Sequence, residues 1–286
     1  MLTESGFLLQ RYSRGCDMRL TRLALLIAGL STLSACGSDD ISSPNLPPTA
    51  SVRFINAVTD TGSVDIAMID QVDLAPYAKP LAFRAGTAYQ LAEAKARRIR
   101  VFPTSLNAAV TSQFMHDTTI TFTAGEKVTL LLTGSARART VRFVVIPDNP
   151  EAPPAGQISA RLVNASGAPV NGYVVTTVAD PITGAPAFGS VAPLTASPYI
   201  NRPTGAAALR ATDVGSTTAT ASLAGPAAPA PLPGDVFPAA GVGNAGTKFS
   251  VYFFPRGVAG SPQNAVTAPS VVWFVDRNPC DVGSTC

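Results

Sequence analysis

A heptapeptide of this chain comes back 108 residues later. Ser51-Val52-Arg53-Phe54-Ile55-Asn56-Ala57 returns as Ser159-Ala160-Arg161-Leu162-Val163-Asn164-Ala165. Two more echoes keep the same order. Tyr89 and Ile99-Arg100 return as Tyr199 and Leu209-Arg210 at a shift of 110, and Phe143 to Pro150 returns as Val272 to Pro279 at a shift of about 129. Three echoes in one order mean two copies of one structural unit. The jump in the last shift implies an insertion of about 19 residues in the second copy, placed in the Ala/Pro/Gly-rich stretch 224–246.

Inside each copy the apolar residues recur at period two. Val52 and Phe54 alternate with Arg53, Ile99 and Val101 with Arg98 and Arg100, Ile120 and Phe122 with threonines, and Val141, Phe143 and Val145 with Arg142. Period two is the signature of a strand with one face on a core and the other in water. Residues 88–98 are the exception, with intrinsic helix formers and Glu93 and Arg97 four apart; they read as a short helix or a strand lead-in. The run Asp148 to Gly156 holds three prolines and cannot be a central strand, since proline has no ladder donor. The expected fold is all-β: two tandem immunoglobulin-like or transthyretin-like β-sandwiches of about seven short strands each. They occupy residues 51–147 and 157–286, joined by a Pro-rich linker at 148–156.

The N-terminus reads as an address. Met18-Arg19-Leu20-Thr21-Arg22 is a short basic segment, and Leu23 to Leu30 is apolar but far too short to span a bilayer. Leu33-Ser34-Ala35-Cys36 then matches the lipobox of bacterial lipoprotein signal peptides, in which the cysteine thiol carries the diacylglycerol. Residues 1–35 are therefore read as a signal peptide with its true start at Met18, and Cys36 as the lipidation site. Residues 36–50 are the lipidated cysteine and a flexible, Pro-rich tether. Each buried methylene of a lipid contributes about 0.8 kcal/mol, so two or more chains hold firmly. Gly37 stands where the inner-membrane retention signal has Asp, which points to the outer membrane.

Removal of residues 1–35 from the 286 leaves 251. The whole chain carries +3; the leader holds Arg11, Arg14, Arg19 and Arg22 against Glu4 and Asp17, so the mature part is near +1. A nearly neutral surface gives no case for nucleic acid. Of four cysteines, Cys16 precedes Met18 and Cys36 is lipidated; Cys280 and Cys286 remain. In an oxidising envelope they can close a small loop worth roughly 2 kcal/mol. The rival is a metal pair, but two thiols with no nearby His or third Cys make an incomplete zinc site.

Catalytic chemistry is hard to assemble from these residues. A Ser-His-Asp triad needs a histidine, and the chain has only His116, with no Gly-x-Ser-x-Gly elbow. Asp60 and Asp65 flank a turn, but Asn171 stands at the second copy's counterpart of Asp65, which reads as a turn or strand-edge residue. Asp70 and Asp73 fall far short of a calcium shell. Arg97, Arg98 and Arg100, with Arg137, Arg139 and Arg142, read first as alternating arginines on the solvent face of β-strands, and would form a basic patch only if their strands pair. Trp273, Phe274, Tyr252 and Phe254 read as core and cross-strand packing.

Arg53-Phe54-Ile55-Asn56-Ala57, then Asp60 and Val64-Asp65-Ile66, resembles the opening motif of the domain of unknown function family DUF4397. The second copy offers Arg161 to Ser166 and Val170 to Tyr173, then Phe188-Gly189-Ser190-Val191 with Tyr199 and Gly205, similar to the family's middle. Asn replaces the family's common His, and the first copy lacks its Ser-Pro-Asp form. The resemblance implies repeated extracytoplasmic β domains and no established activity.

The expectation for function is a non-catalytic cell-envelope lipoprotein, a repeated β-sandwich for binding, adhesion or spacing. It is held to the membrane by lipid, with an envelope polysaccharide or protein as partner and with no cofactor. The alternative is a polysaccharide hydrolase with an unrecognised carboxylate site. Loops carry function on a rigid sandwich, so Asn56, Asp60, Asp65 and Asn164 are the candidate binding residues.

Overall fold

The computed structural model describes residues 47–70, 77–230, 238–262 and 268–279. The signal peptide, Met18, Cys16, Cys36, Asp73, Cys280 and Cys286 lie outside them, as does part of the 224–246 stretch. The first half runs β1 (Thr49–Asn56), β2 (Val64–Met68), β3 (Tyr77–Leu81), β4 (Gln90–Glu93), β5 (Ala96–Pro103), α1 (Ala108–Thr111), β6 (His116–Thr121), β7 (Lys127–Thr133) and β8 (Arg142–Pro147). The second runs β9 (Gln157–Asn164), β10 (Val170–Val175), β11 (Phe188–Val191), β12 (Ile200–Pro203), β13 (Ala208–Asp213), β14 (Ala219–Ala224), β15 (Lys248–Phe254) and β16 (Ser270–Arg277).

Each half is a sandwich of two four-stranded sheets. In the first the orders are β4-β1-β7-β8 and β3-β2-β5-β6; in the second, β12-β9-β15-β16 and β11-β10-β13-β14. The same order appears twice, down to the parallel pairs β1–β7 and β9–β15. Most of residues 88–98 is strand: a bend at Ala94-Lys95 carries the chain from β4 in one sheet to β5 in the other, and cross-strand partners override helix propensity. The β14–β15 connection spans 225–247, against 122–126 between β6 and β7.

Val52, Phe54, Ile66, Met68, Ile99, Leu130 and Leu132 fill the first core, and Leu162, Leu209, Val251 and Phe253 the second. A third apolar cluster belongs to neither sandwich. It joins Ile55, Leu131 and Ile146 of the first half to Val163, Tyr252 and Phe254 of the second. The sheets containing β1 and β9 therefore pack face to face. This corrects the reading of Arg53 as a solvent-facing residue: it is 1% exposed, and Arg161 is 4% exposed. Their strands are covered on both faces. A side chain such as Leu131, brought fully out of water, contributes roughly 1.5–3 kcal/mol, so this cluster binds the halves into one body.

Candidate functional site

The four residues chosen from sequence land in two environments. Asn56 is fully buried; its Nδ2 donates to the Leu81 carbonyl at 3.1 Å and its Oδ1 accepts from Val58 N at 3.0 Å. Asn164 repeats this, donating to the carbonyls of Ala168 (2.7 Å) and Val191 (2.9 Å) and accepting from Ser166 N at 2.9 Å. Both amides tie β1 or β9 to the loop that follows it, so their donors are used within the fold. Asp60, 6% exposed, accepts from the Ser135 hydroxyl, Ala136 N (2.8 Å) and Arg137 N (3.1 Å), and so caps the β7–β8 turn. Burial alone would raise its carboxyl; those donors more than reverse this and hold it below the ordinary range.

Asp65 differs. It sits on the outer face of β2, accepts from the Thr104 hydroxyl and lies 3.8 Å from Lys79 Nζ. With Tyr77, Lys79, Phe102, Thr104 and Leu106 it lines an open cleft of about 960 Å3. Tyr77 and Leu106 are exposed there.

The remaining candidates are absorbed by packing. His116 meets the Phe143 ring edge-on at 5.8 Å, and burial, against the charge of Asp117, lowers its pKa. The conditional basic patch does not form, because β5 pairs with β2 and β6 while β8 pairs with β7 in the other sheet. Arg97 is buried and bonds Asp70 at 2.8 Å; Arg98 and Arg100 share Asp117 at 2.8 Å and 2.7 Å. The hydrogen bonds from Arg98 and then Arg100 hold the Asp117 carboxyl down at about 2. Among the described residues no group of three possible metal ligands occurs, and no helix is long and apolar enough to cross a membrane.

The densest polar cluster was not anticipated. It lies between the halves and is built twice. Arg53 on β1 stands opposite Thr129 on β7, and its Nε donates to Thr129 Oγ1 at 3.0 Å. Its Nη1 crosses to the Val275 carbonyl at 3.1 Å, and its Nη2 to Asp276 Oδ1 at 2.8 Å. Arg161 repeats each bond: Nε to Ser250 Oγ at 2.7 Å, Nη1 to the Pro147 carbonyl at 2.7 Å, and Nη2 to Asp148 Oδ1. Each carboxylate is also held from its own half. Asp148 accepts from Thr129 Oγ1 (2.7 Å) and Tyr89 Oη (2.8 Å), and Asp276 from Ser250 Oγ (2.6 Å) and Tyr199 Oη (2.9 Å). Each tyrosine ring also carries two cations. Arg53 and Lys127 approach the Tyr89 centroid to 4.6 and 4.3 Å, and Arg161 and Lys248 the Tyr199 centroid to 4.6 and 4.2 Å.

The electrostatics follow from burial. Removal from water works against the Arg53 charge, yet Asp276 and its neighbours more than offset that and raise its pKa. Burial pushes Tyr89 and Tyr199 up, so both phenols stay neutral and donate. Burial also raises the Asp148 carboxyl, against the pull of Arg53 and Arg161. Both Asp side chains are 0% exposed. Two carboxylates so enclosed, each committed to an arginine, can orient two sheets but cannot reach an outside substrate.

Register explains why sequence reasoning missed the aspartates. A shift of 129 sets Asp148 against Arg277, whereas the strand pairings Val128–Pro147 and Phe249–Val275 align β8 with β16 at 128. At 128, Asp148 falls on Asp276 and Ile146 on Phe274. A one-residue slip exchanges the faces of a strand. The structure agrees with the shift of 128: Val144 and Val272 both join the cluster between the halves.

The family model described as Domain of unknown function (DUF4397) matches residues 50–173. The match is one continuous stretch from β1 into β10, covering the first sandwich and the opening of the second. No curated protein matches the chain.

Proposed function

We propose that this chain is a non-catalytic, lipid-anchored module of the bacterial cell envelope, in which two copies of the DUF4397-type repeat act as one rigid body for binding or spacing. The observation that carries the reading is the placement of the polar residues. The cluster richest in ionisable groups is sealed between the sandwiches and spends its charges on holding them together. Rigid presentation suits a spacer or an adhesin, because a ligand surface on a stiff body loses little conformational freedom on binding.

The outer-face cleft at Asp65 is the ligand surface in this reading. Tyr77 and Phe102 offer aromatic faces, and Asp65, Lys79 and Thr104 offer charge and hydrogen bonds. That combination suits an envelope polysaccharide or a protein segment. The anchor rests on Leu33-Ser34-Ala35-Cys36, and Gly37 favours the outer membrane.

Two experiments test the proposal. Cells expressing the Cys36→Ser chain should release it from the membrane fraction; unchanged membrane association would sink the anchor. The purified mature chain should show no turnover in a broad hydrolase screen. Turnover abolished by substitution of His116, Asp60 or Asp65 would replace the module reading with the hydrolase one.

A further inference from the structure

The cluster between the halves is built twice, from matching residues of the two copies. Arg53, Tyr89, Lys127, Thr129 and Asp148 appear in the second half as Arg161, Tyr199, Lys248, Ser250 and Asp276, in the same chain order and the same roles. The short charge-assisted bonds run across: Arg53 to Asp276, and Arg161 to Asp148. Within the first half, Arg53 and Asp148 come no closer than 3.9 Å. An isolated half would thus keep only the longer Arg53–Asp148 pair and expose, side by side, a guanidinium and a carboxylate whose short charge-assisted partners lie on the other half. A two-fold rotation pairs such a face with another like it, the condition for an isologous interface.

We propose that the face formed by β1 and β7, with its counterpart on β9 and β15, is a self-recognition surface whose partner is a second copy of the same repeat, so that halves freed from the linker, including halves from two different chains, reassemble through the Arg–Asp cross-pairs. The linker at 149–156 then supplies only local concentration. A short flexible link raises effective concentration to the order of millimolar, so the contact has no need of the linker for its geometry.

The apolar part of the surface sets which copy is preferred. Phe274 packs where Gly86 leaves room, since a Cβ at residue 86 would stand 2.6 Å from Phe274 Cε1. The corresponding pair is Ile146 and Ala196, and Leu131 corresponds to Tyr252. Bulk in one half is answered by a gap in the other. A first half therefore fits a second half better than another first half.

The test uses the full chain with a specific protease site inserted between Pro154 and Ala155, cut after folding. The cut protein should sediment at micromolar concentration as a single particle holding both halves. A cut preparation tagged on the second half, mixed with a cut preparation carrying a different tag on the first half, should capture that differently tagged first half. Asp148→Asn with Asp276→Asn should weaken reassociation at least tenfold while each half keeps its β circular dichroism. Should that variant fail to fold, Tyr89→Phe with Tyr199→Phe removes one donor from each carboxylate and should give a smaller loss of the same kind. Folded halves that drift apart after cutting would overturn the proposal. So would asparagine or phenylalanine variants that hold as tightly as the parent, and so would halves that unfold once cut, since the contact would then belong to a single folding unit.

Discussion

Asp276 is positioned by a register irregularity at the end of β16, opposite the start of β15, which carries its carboxylate to Arg53. Buried ion pairs add little net stability when formed, but breaking one leaves a charge with no partner. Asp276→Asn should therefore lower unfolding free energy by about 3–5 kcal/mol, the usual cost of removing one partner of a buried pair. Replacing both members with apolar residues, as in Arg53→Met with Asp276→Leu, should cost less than Asp276→Asn alone. Urea denaturation of the variants decides it; a double variant weaker than the single would contradict this account. Asp117 makes the contrasting case at the surface. Its carboxyl is held at about 2 by Arg98 and Arg100, so its folded pKa lies below the ordinary aspartate value of 3.8. The stability it contributes is present above that value and is lost as pH falls through about 2. Solvent screening keeps the amount small. An NMR titration should give a midpoint near 2 that moves back toward 3.8 in Arg98→Ala, and an unmoved midpoint would remove the ion pair as the cause.

At the level of elements, loops and close approaches hold the sheets in place. Gly86 lies beside β1, bridged to Ile55, and its lack of a side chain admits the Phe274 ring of β16. Gly86→Ala should destabilise by about 1–3 kcal/mol, as overpacking typically does. Phe274→Ile in the same chain should recover much of that loss, because Ile146 beside Ala196 is the arrangement the other half already uses. Thermal denaturation of the single and double variants measures the coupling, and simple additivity would sink the steric account. The β7–β8 turn depends on Asp60, which takes three donors from residues 135–137. Asp60→Ala strands those donors, at about 1–3 kcal/mol, and should speed amide exchange at Ala136 and Arg137 first. The strand pattern was readable because alternation is local, and so were the turns. The 88–98 segment was not, because the choice between helix and strand there rests on pairing to β1.

For the whole molecule, the third apolar cluster and the cross-pairs make the halves one thermodynamic body. Calorimetry should show a single transition with matching calorimetric and van't Hoff enthalpies. Asp148→Asn with Asp276→Asn should split that transition in two; two transitions in the unmodified chain would mean that the interface is weak.

Repetition, period two and the Pro-rich break were enough to establish a doubled all-β architecture, because each depends on neighbours along the chain or on self-similarity. They could say which residues share a face. They could not say what covers that face, so Arg53 and Arg161 looked like solvent-facing residues on half-exposed strands. Asn56 and Asn164 open the best-matched loops of the two copies, yet their amides tie each strand to the end of β3 or β11 and to the loop beside it. Asp148 and Asp276 went unmatched, since a single residue of register separates a core position from an interface position. Contacts more than 200 positions apart in the chain, such as Arg53 with Asp276, exist only once the two sandwiches have docked. Docking follows from the summed shape and charge of two sheets, and no local stretch of chain encodes that sum.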